Sequence, residues 1–372
     1  MNHPPCEAMK TAPVAGVPAR HRQRRNRLAA GLLALLLPLH ALLASAEPSL
    51  TQGADDRLQA AVQAVEQAPA VTDYAAIELE WRDERRERIV PARLYLPTIA
   101  SDERPAPLVV FSHGIGGSRN GYRYLGQYWA SQGVASLHLQ HVGSDRELWF
   151  GNPFGLVGRL RDAARDGEAI ARVHDLRFAL DRILAGAYAA RLDAGRIVAA
   201  GHSYGANTAL LAVGAHVERG GRTIDLRDAR LKAAIVLSAP PFYGESDVAG
   251  ILGDVTVPTL HVTATEDIIR IPGYYSGAKD RIAVFDAVAG PRKTLAVFAG
   301  GSHSMFTDRA GTGGFTLNPQ VKAATRALSL AFLRSVFDGN DDALRRWPEQ
   351  FAEILSRFTP PAGGMLRGSP RP

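Results

Sequence analysis

Cysteine is almost missing from this chain: its 372 residues contain one, Cys6. Without residues 1–46 the chain has no thiol to serve as nucleophile, metal ligand or disulfide partner. It also lacks an apolar segment suited to crossing a bilayer. The run Leu28–Leu43 has 16 residues and contains Pro38, against about 20 for a spanning helix. An excess of one charge is lacking too. Lys and Arg number 43 against 37 Asp and Glu, but six of those bases and one acid lie in residues 1–46, leaving 37 against 36. That balance gives no basic face for nucleic acid or an anionic membrane. No internal repeat is visible.

What is present begins with a leader. Arg20, Arg22, Arg24, Arg25 and Arg27 precede the apolar run, and Ala44-Ser45-Ala46 follows it. This is the order of a secretory signal peptide, with cleavage expected after Ala46 and export to the periplasm or medium. Arg24-Arg25 suggests twin-arginine export, but no Ser precedes the pair and Asn26 follows it, so either route stays open.

Residues 47–75 read as a polar arm, either a short helix or a loose segment. Ala76–Trp81 and Ile89–Leu96 alternate like strands around the charged turn Arg82–Arg88, which predicts a hairpin. Beyond Pro107, apolar runs recur at Leu108–Phe111, Val134–Leu139, Ile197–Ala200, Ala233–Leu237, Thr259–Thr263 and Thr294–Phe298. Helical stretches are expected at Gly121–Ser131, Ala171–Leu184, Tyr204–Gly214 and Pro319–Phe337, with Asp341–Phe358 also helix-like. Apolar strands separated by helices predict an α/β fold, a mostly parallel central sheet covered on both faces. Residues 76–358 would form this domain, and 359–372 a disordered tail.

In such sheets the chemistry sits beyond the carboxyl ends of the strands. There, Gly201-His202-Ser203-Tyr204-Gly205 joins a predicted strand to a predicted helix. Its glycines permit the sharp turn that holds a nucleophilic Ser at the apex. The competing structural reading is that Ser203 caps the helix. A Ser nucleophile needs a base, and His303 follows the last predicted strand after Gly300-Gly301-Ser302. The acid is expected between them in the chain. Thr259–Thr263 leads to Glu266 and Asp267; Asp267 is expected, with Glu266 as the alternative because a one-residue register change exchanges their faces. Asp280 and Asp286 lie deeper in a loop and fit less well.

Acyl transfer also needs backbone donors for the developing oxyanion. The N–H of Tyr204, just after Ser203, is one. Ser112-His113-Gly114-Ile115-Gly116-Gly117 follows a strand and places the second at Ile115. His113 and His202 flank these turns and are expected to pack or orient backbone, whereas His174, His216 and His261 read as structural. His138 and His141 are three apart on one strand and face opposite sides, so no metal is expected. The segment 145–167 reads as a cap, with Trp149 and Phe150 as candidate pocket residues beside Phe242, Tyr243 and Phe306. A buried satellite cluster is the alternative.

Taken together, VVFSHGIGGSRNGYRYLGQYWASQGVASL, GHSYGANTA, VTATEDIIRIP and FAGGSHSMF resemble the α/β-hydrolase superfamily. The similarity is greatest to the secreted bacterial group called predicted dienelactone hydrolases, related to platelet-activating-factor acetylhydrolase and polyester hydrolases. The resemblance implies Ser203 as nucleophile, His303 as base, Asp267 as acid, and Ile115 and Tyr204 as oxyanion donors. Dienelactone hydrolases proper use a cysteine nucleophile, where this chain has Ser203. The acetylhydrolases carry their acid just after the strand that follows the elbow, where this chain reads Val236-Leu237-Ser238-Ala239-Pro240. The expected activity is hydrolysis of a small-molecule or lipid-like carboxylic ester through an acyl-enzyme, with no cofactor. The same triad would serve an amidase or acyltransferase, and a silent hydrolase fold would serve as a binding module.

Overall fold

The computed structural model describes residues 50–362 except 220, 272 and 273. The expected signal peptide and the tail from residue 363 lie outside the described residues. In chain order the elements are α1 (Leu50–Glu66), β1 (Tyr74–Asp83), β2 (Arg88–Pro97), β3 (Ala106–Ser112), α2 (Arg123–Ser131), β4 (Ala135–Leu139), α3 (Leu156–Ala163) and α4 (Asp166–Leu184). Then come β5 (Leu192–His202), α5 (Tyr204–Ala212), β6 (His216–Arg219), β7 (Arg222–Asp225), β8 (Leu231–Leu237), α6 (Val248–Leu252) and β9 (Thr259–Ala264). The chain continues through β10 (Ile269–Ile271), β11 (Tyr274–Ser276), α7 (Ala278–Ala287), β12 (Lys293–Phe298), α8 (Leu317–Asp338), α9 (Asp342–Gln350) and β13 (Leu355–Thr359).

Nine strands make one sheet in the order β1-β2-β4-β3-β5-β8-β9-β12-β13. The six from β4 to β12 in that order run parallel. The pairings of β1 with β2, β2 with β4 and β12 with β13 are antiparallel.

The continuous apolar runs follow from burial on both faces. Leu108 and Val110 of β3 enter one apolar cluster and Val109 and Phe111 the other; β5 divides Ile197 and Ala199 from Val198 and Ala200 in the same way. Helices α4 and α5 cover the first face, and α1, α2, α8 and α9 the second. The centre of the sheet is therefore rigid and dry, and β5 delivers its carboxyl end to a fixed place.

Of the two readings of the polar arm, the helical one is found: it includes α1, which buries Leu58 and Val62 in the second cluster. Other segments depart from the sequence reading. The stretch 341–358 is not one helix: after α9 and the short turn Ala352–Ile354 the chain extends as β13 and pairs with β12. This places Thr359, expected in the tail, opposite Leu295. The hairpins β6–β7 and β10–β11 had no apolar run to announce them.

Trp347 secures the β13 end of the sheet. It is fully buried, donates its indole N–H to the Ala324 carbonyl at 3.0 Å, and packs against Phe298, Phe351 and Phe358. Trp347→Ala should cost about 3–5 kcal/mol, measured as a lower urea midpoint with an unchanged slope.

Candidate active site

The turn between β5 and α5 puts Ser203 at φ 56°, ψ −123°, a region that L-residues seldom adopt. Two glycines allow it. A Cβ on Gly205 would collide with the Ser112 carbonyl, and one on Gly201 with the Gly205 carbonyl. Ser203 is thus raised from the sheet end, with its own N–H donated to Leu237 O at 2.8 Å.

After β12, Gly300 and Gly301 take φ values of 72° and 90° and turn the chain back, placing His303 over the elbow. Two side-chain distances define the site: His303 Nε2 lies 2.8 Å from Ser203 Oγ, and His303 Nδ1 lies 2.8 Å from Asp267 Oδ1. Glu266, the alternative acid, is exposed, whereas Asp267 is buried.

Asp267 is held from several sides. Thr263 Oγ1 donates to its Oδ2 at 2.8 Å and Ser238 Oγ donates to the same oxygen. Ser238 Oγ also lies 2.7 Å from His303 Nδ1, and Arg281 reaches within 3.5 Å of Asp267 Oδ1. Burial alone would raise the carboxyl pKa. The hydrogen bond and charge of His303, backed by Arg281 and Ser238, outweigh it and hold the group well below the ordinary carboxylate range. Asp267 is therefore ionised, and the proton between it and His303 resides on Nδ1. That leaves Nε2 as acceptor for the Ser203 hydroxyl.

The 112–117 turn lies directly against the elbow, where a Cβ on Gly114 would come within 3.2 Å of Ser203 Cβ. The Gly114 carbonyl accepts from Gly117 N–H at 3.0 Å and from His113 Nδ1 at 2.7 Å. The opposite end of that peptide, the N–H of Ile115, donates to no described residue, and neither does the N–H of Tyr204. Both residues border the same cavity as Ser203.

A relay ties this turn to the base. Gly114 N–H donates to the Tyr122 hydroxyl at 3.2 Å, which lies 2.9 Å from His202 Nδ1; His202 Nε2 lies 2.9 Å from the His303 carbonyl. A carbonyl accepts only, so His202 carries its proton on Nε2 and accepts from Tyr122 at Nδ1. Burial, with the neighbouring His303 second, pushes the His202 pKa down to about 3, which keeps this ring neutral. Ser238, Thr263, Arg281 and Tyr122 had no site role in the sequence reading.

The cavity measures about 160 Å³. From Ser203 and Tyr204 it follows α5 past Asn207 and Thr208 to Leu211, two helical turns or about 12 Å. Val157, Leu160 and Ala164 from the cap, Val217 and Ile224 from the β6–β7 hairpin, and Ile269, Ile271 and Tyr274 from β10–β11 form its walls. Phe242 and Tyr243 also line it. Trp149, Phe150 and Phe306 do not. The cap folds as two short turns before α3, so the aliphatic face of α3 points inward; Phe150 is exposed, and Trp149 donates its indole N–H to Gly116 O at 2.8 Å. Phe306 is fully buried behind the base, 6.0 Å from the His202 ring.

His138 stacks on Phe111, and His141 lies between Asp175 and Ser112. Among the described residues no three His, Cys, Asp or Glu side chains group as a metal site, and no helix is long and apolar enough to cross a membrane.

The sheet order and the strained elbow are those of an α/β-hydrolase fold. A ferulic acid esterase from Streptomyces cinnamoneus shares it, with a TM-score of 0.55 and 22% identity over 74% of this chain and 93% of that one. The family profile described as platelet-activating factor acetylhydrolase, isoform II, matches residues 93–146. That stretch carries the 112–117 turn and Tyr122 and ends before Ser203. No curated protein matches the sequence.

The depressed folded pKa fixes the sign of an acid response. Asp267 loses its proton more readily folded than unfolded, so its contribution to stability is complete above the ordinary carboxylate range and disappears as pH falls toward the folded value. Urea titrations of the native protein and Asp267→Asn should show a stability gap at neutral pH that narrows below about pH 4.

Proposed function

We propose that this protein is an exported serine hydrolase that cleaves carboxylic esters with an apolar acyl or alcohol group. The observation that carries this reading is the 2.8 Å approach of His303 Nε2 to a serine oxygen on a strained turn. Ser203 Oγ attacks the ester carbonyl while His303 Nε2 takes its proton. Asp267 keeps the imidazole oriented and stabilises the imidazolium. The N–H groups of Ile115 and Tyr204 receive the oxyanion. Return of the proton from His303 releases the alcohol, and a water activated by the same nitrogen then attacks the acyl-enzyme and frees Ser203.

The resident groups supply every proton transfer in this cycle. Both the acetylhydrolase family match and the esterase neighbour support ester chemistry. The aliphatic trough along α5 supports an extended apolar group, and the leader at 1–46 supports export. Export predicts a mature chain that starts at Glu47, read by mass spectrometry of the secreted protein.

Purified protein assayed on nitrophenyl esters of graded acyl length should prefer chains longer than acetyl. Ser203→Ala should lower turnover at least about a thousandfold with the fold intact, and Asp267→Ala should be roughly a hundredfold milder than removal of Ser203 or His303. Full activity in Ser203→Ala would overturn the reading.

A further inference from the structure

Arg172 of α4 is a buried cation without a matching anion. Its side chain is fully buried, and it makes no ion pair with a described residue. The nearby carboxylates are already engaged: Asp175 by Arg86 and Arg88, and Glu168 by Arg88. An unpaired buried charge is costly, so its retained contacts are informative.

Those contacts lead to the two turns that carry the oxyanion donors, and one of them, Ser144 Oγ, also donates to Glu168 Oε1 at 2.8 Å. Nη2 donates to the His113 carbonyl, while the N–H of the same peptide donates to Tyr122. The peptide before Gly114 is thus held at both ends, which sets the direction of the next one and of Ile115 N–H. Nη1 donates to Ser144 Oγ at 2.7 Å, and the Ser144 carbonyl accepts Gly116 N–H at 2.8 Å. Nε donates to Thr208 Oγ1 at 2.9 Å, and that hydroxyl donates to the Tyr204 carbonyl at 3.1 Å. The guanidinium also lies over the Tyr204 ring, 4.5 Å from its centroid. The turn bearing Ile115 and the helix start bearing Tyr204 therefore share one anchor.

We propose that Arg172 is the positioning residue of the oxyanion hole, fixing both backbone donors and adding positive potential behind them. This inference rests on the hydrolase reading above. In a water-poor interior a cation behind the donors of a developing oxyanion favours it more than it would in solvent, and the fixed geometry requires no reorganisation as charge forms.

The test is the rate at which a fluorophosphonate probe labels Ser203, a reaction that needs the oxyanion donors but no knowledge of the natural substrate. Arg172→Met, which removes charge and fork, should label about a hundredfold more slowly than the native protein. Arg172→Lys, which keeps the charge and loses the fork, should retain the fold and fall between the two. On a nitrophenyl ester the loss should appear in kcat, with KM changed less than about twofold. A purely structural role would instead lower the melting temperature and leave labelling unchanged. Either variant, folded by circular dichroism and labelled within about twofold of the native rate, would overturn the proposal. A native protein left unlabelled would sink the hydrolase reading itself, and this inference with it.

Discussion

The backbone of Ser203 is the constraint on which the site depends. A non-glycine residue at φ 56° costs about 1–3 kcal/mol and persists only where its surroundings leave no alternative. Here they leave none: β5 is hydrogen-bonded on both sides by β3 and β8, α5 begins at the next residue, and the end of β3 presses on Gly205. The sheet is buried on both faces, so this strain is held by the most inflexible part of the molecule. The direction of Ser203 Oγ is a property of the whole core.

Histidines crowd around that point, and burial settles their charge. His113, His138, His141 and His202 all lose proton affinity on leaving water. His113 bonds the Gly114 carbonyl through Nδ1 and accepts the His141 N–H at Nε2, which fixes its tautomer as it does for His202. His113 and His202 thus orient backbone without adding charge. The fixed positive charge buried behind the turns belongs to Arg172, while Arg281 stands on the opposite side beside Asp267.

Legibility in the sequence followed distance along the chain. The elbow and the turn before Ile115 are short glycine-containing segments whose geometry is dictated within five or six residues, and they could be read directly. Asp267 required the register of β9, since Glu266 beside it leaves the strand toward solvent. Ser238 was visible only as a missing carboxylate; folding brings its hydroxyl onto Asp267, so the position after β8 still serves the acid. Arg172 carries no local signal because an arginine on a helix ordinarily reads as surface charge. The cap misled for a related reason. Its aromatic residues drew attention, but the 3.6-residue period of α3 turned Val157 and Leu160 toward the cavity. The charged β6–β7 hairpin offered no apolar run at all.

The relay from Gly114 through Tyr122 and His202 to the His303 carbonyl has an evolutionary consequence. Because each member bonds the next, a change at residue 122 alters the setting in which residue 202 is selected, and both act on the loop bearing the base. These positions are expected to be epistatic, with Tyr122 and His202 inherited as a pair. Lineages that lose one should reach a working catalyst sooner by replacing the other than by restoring the original residue.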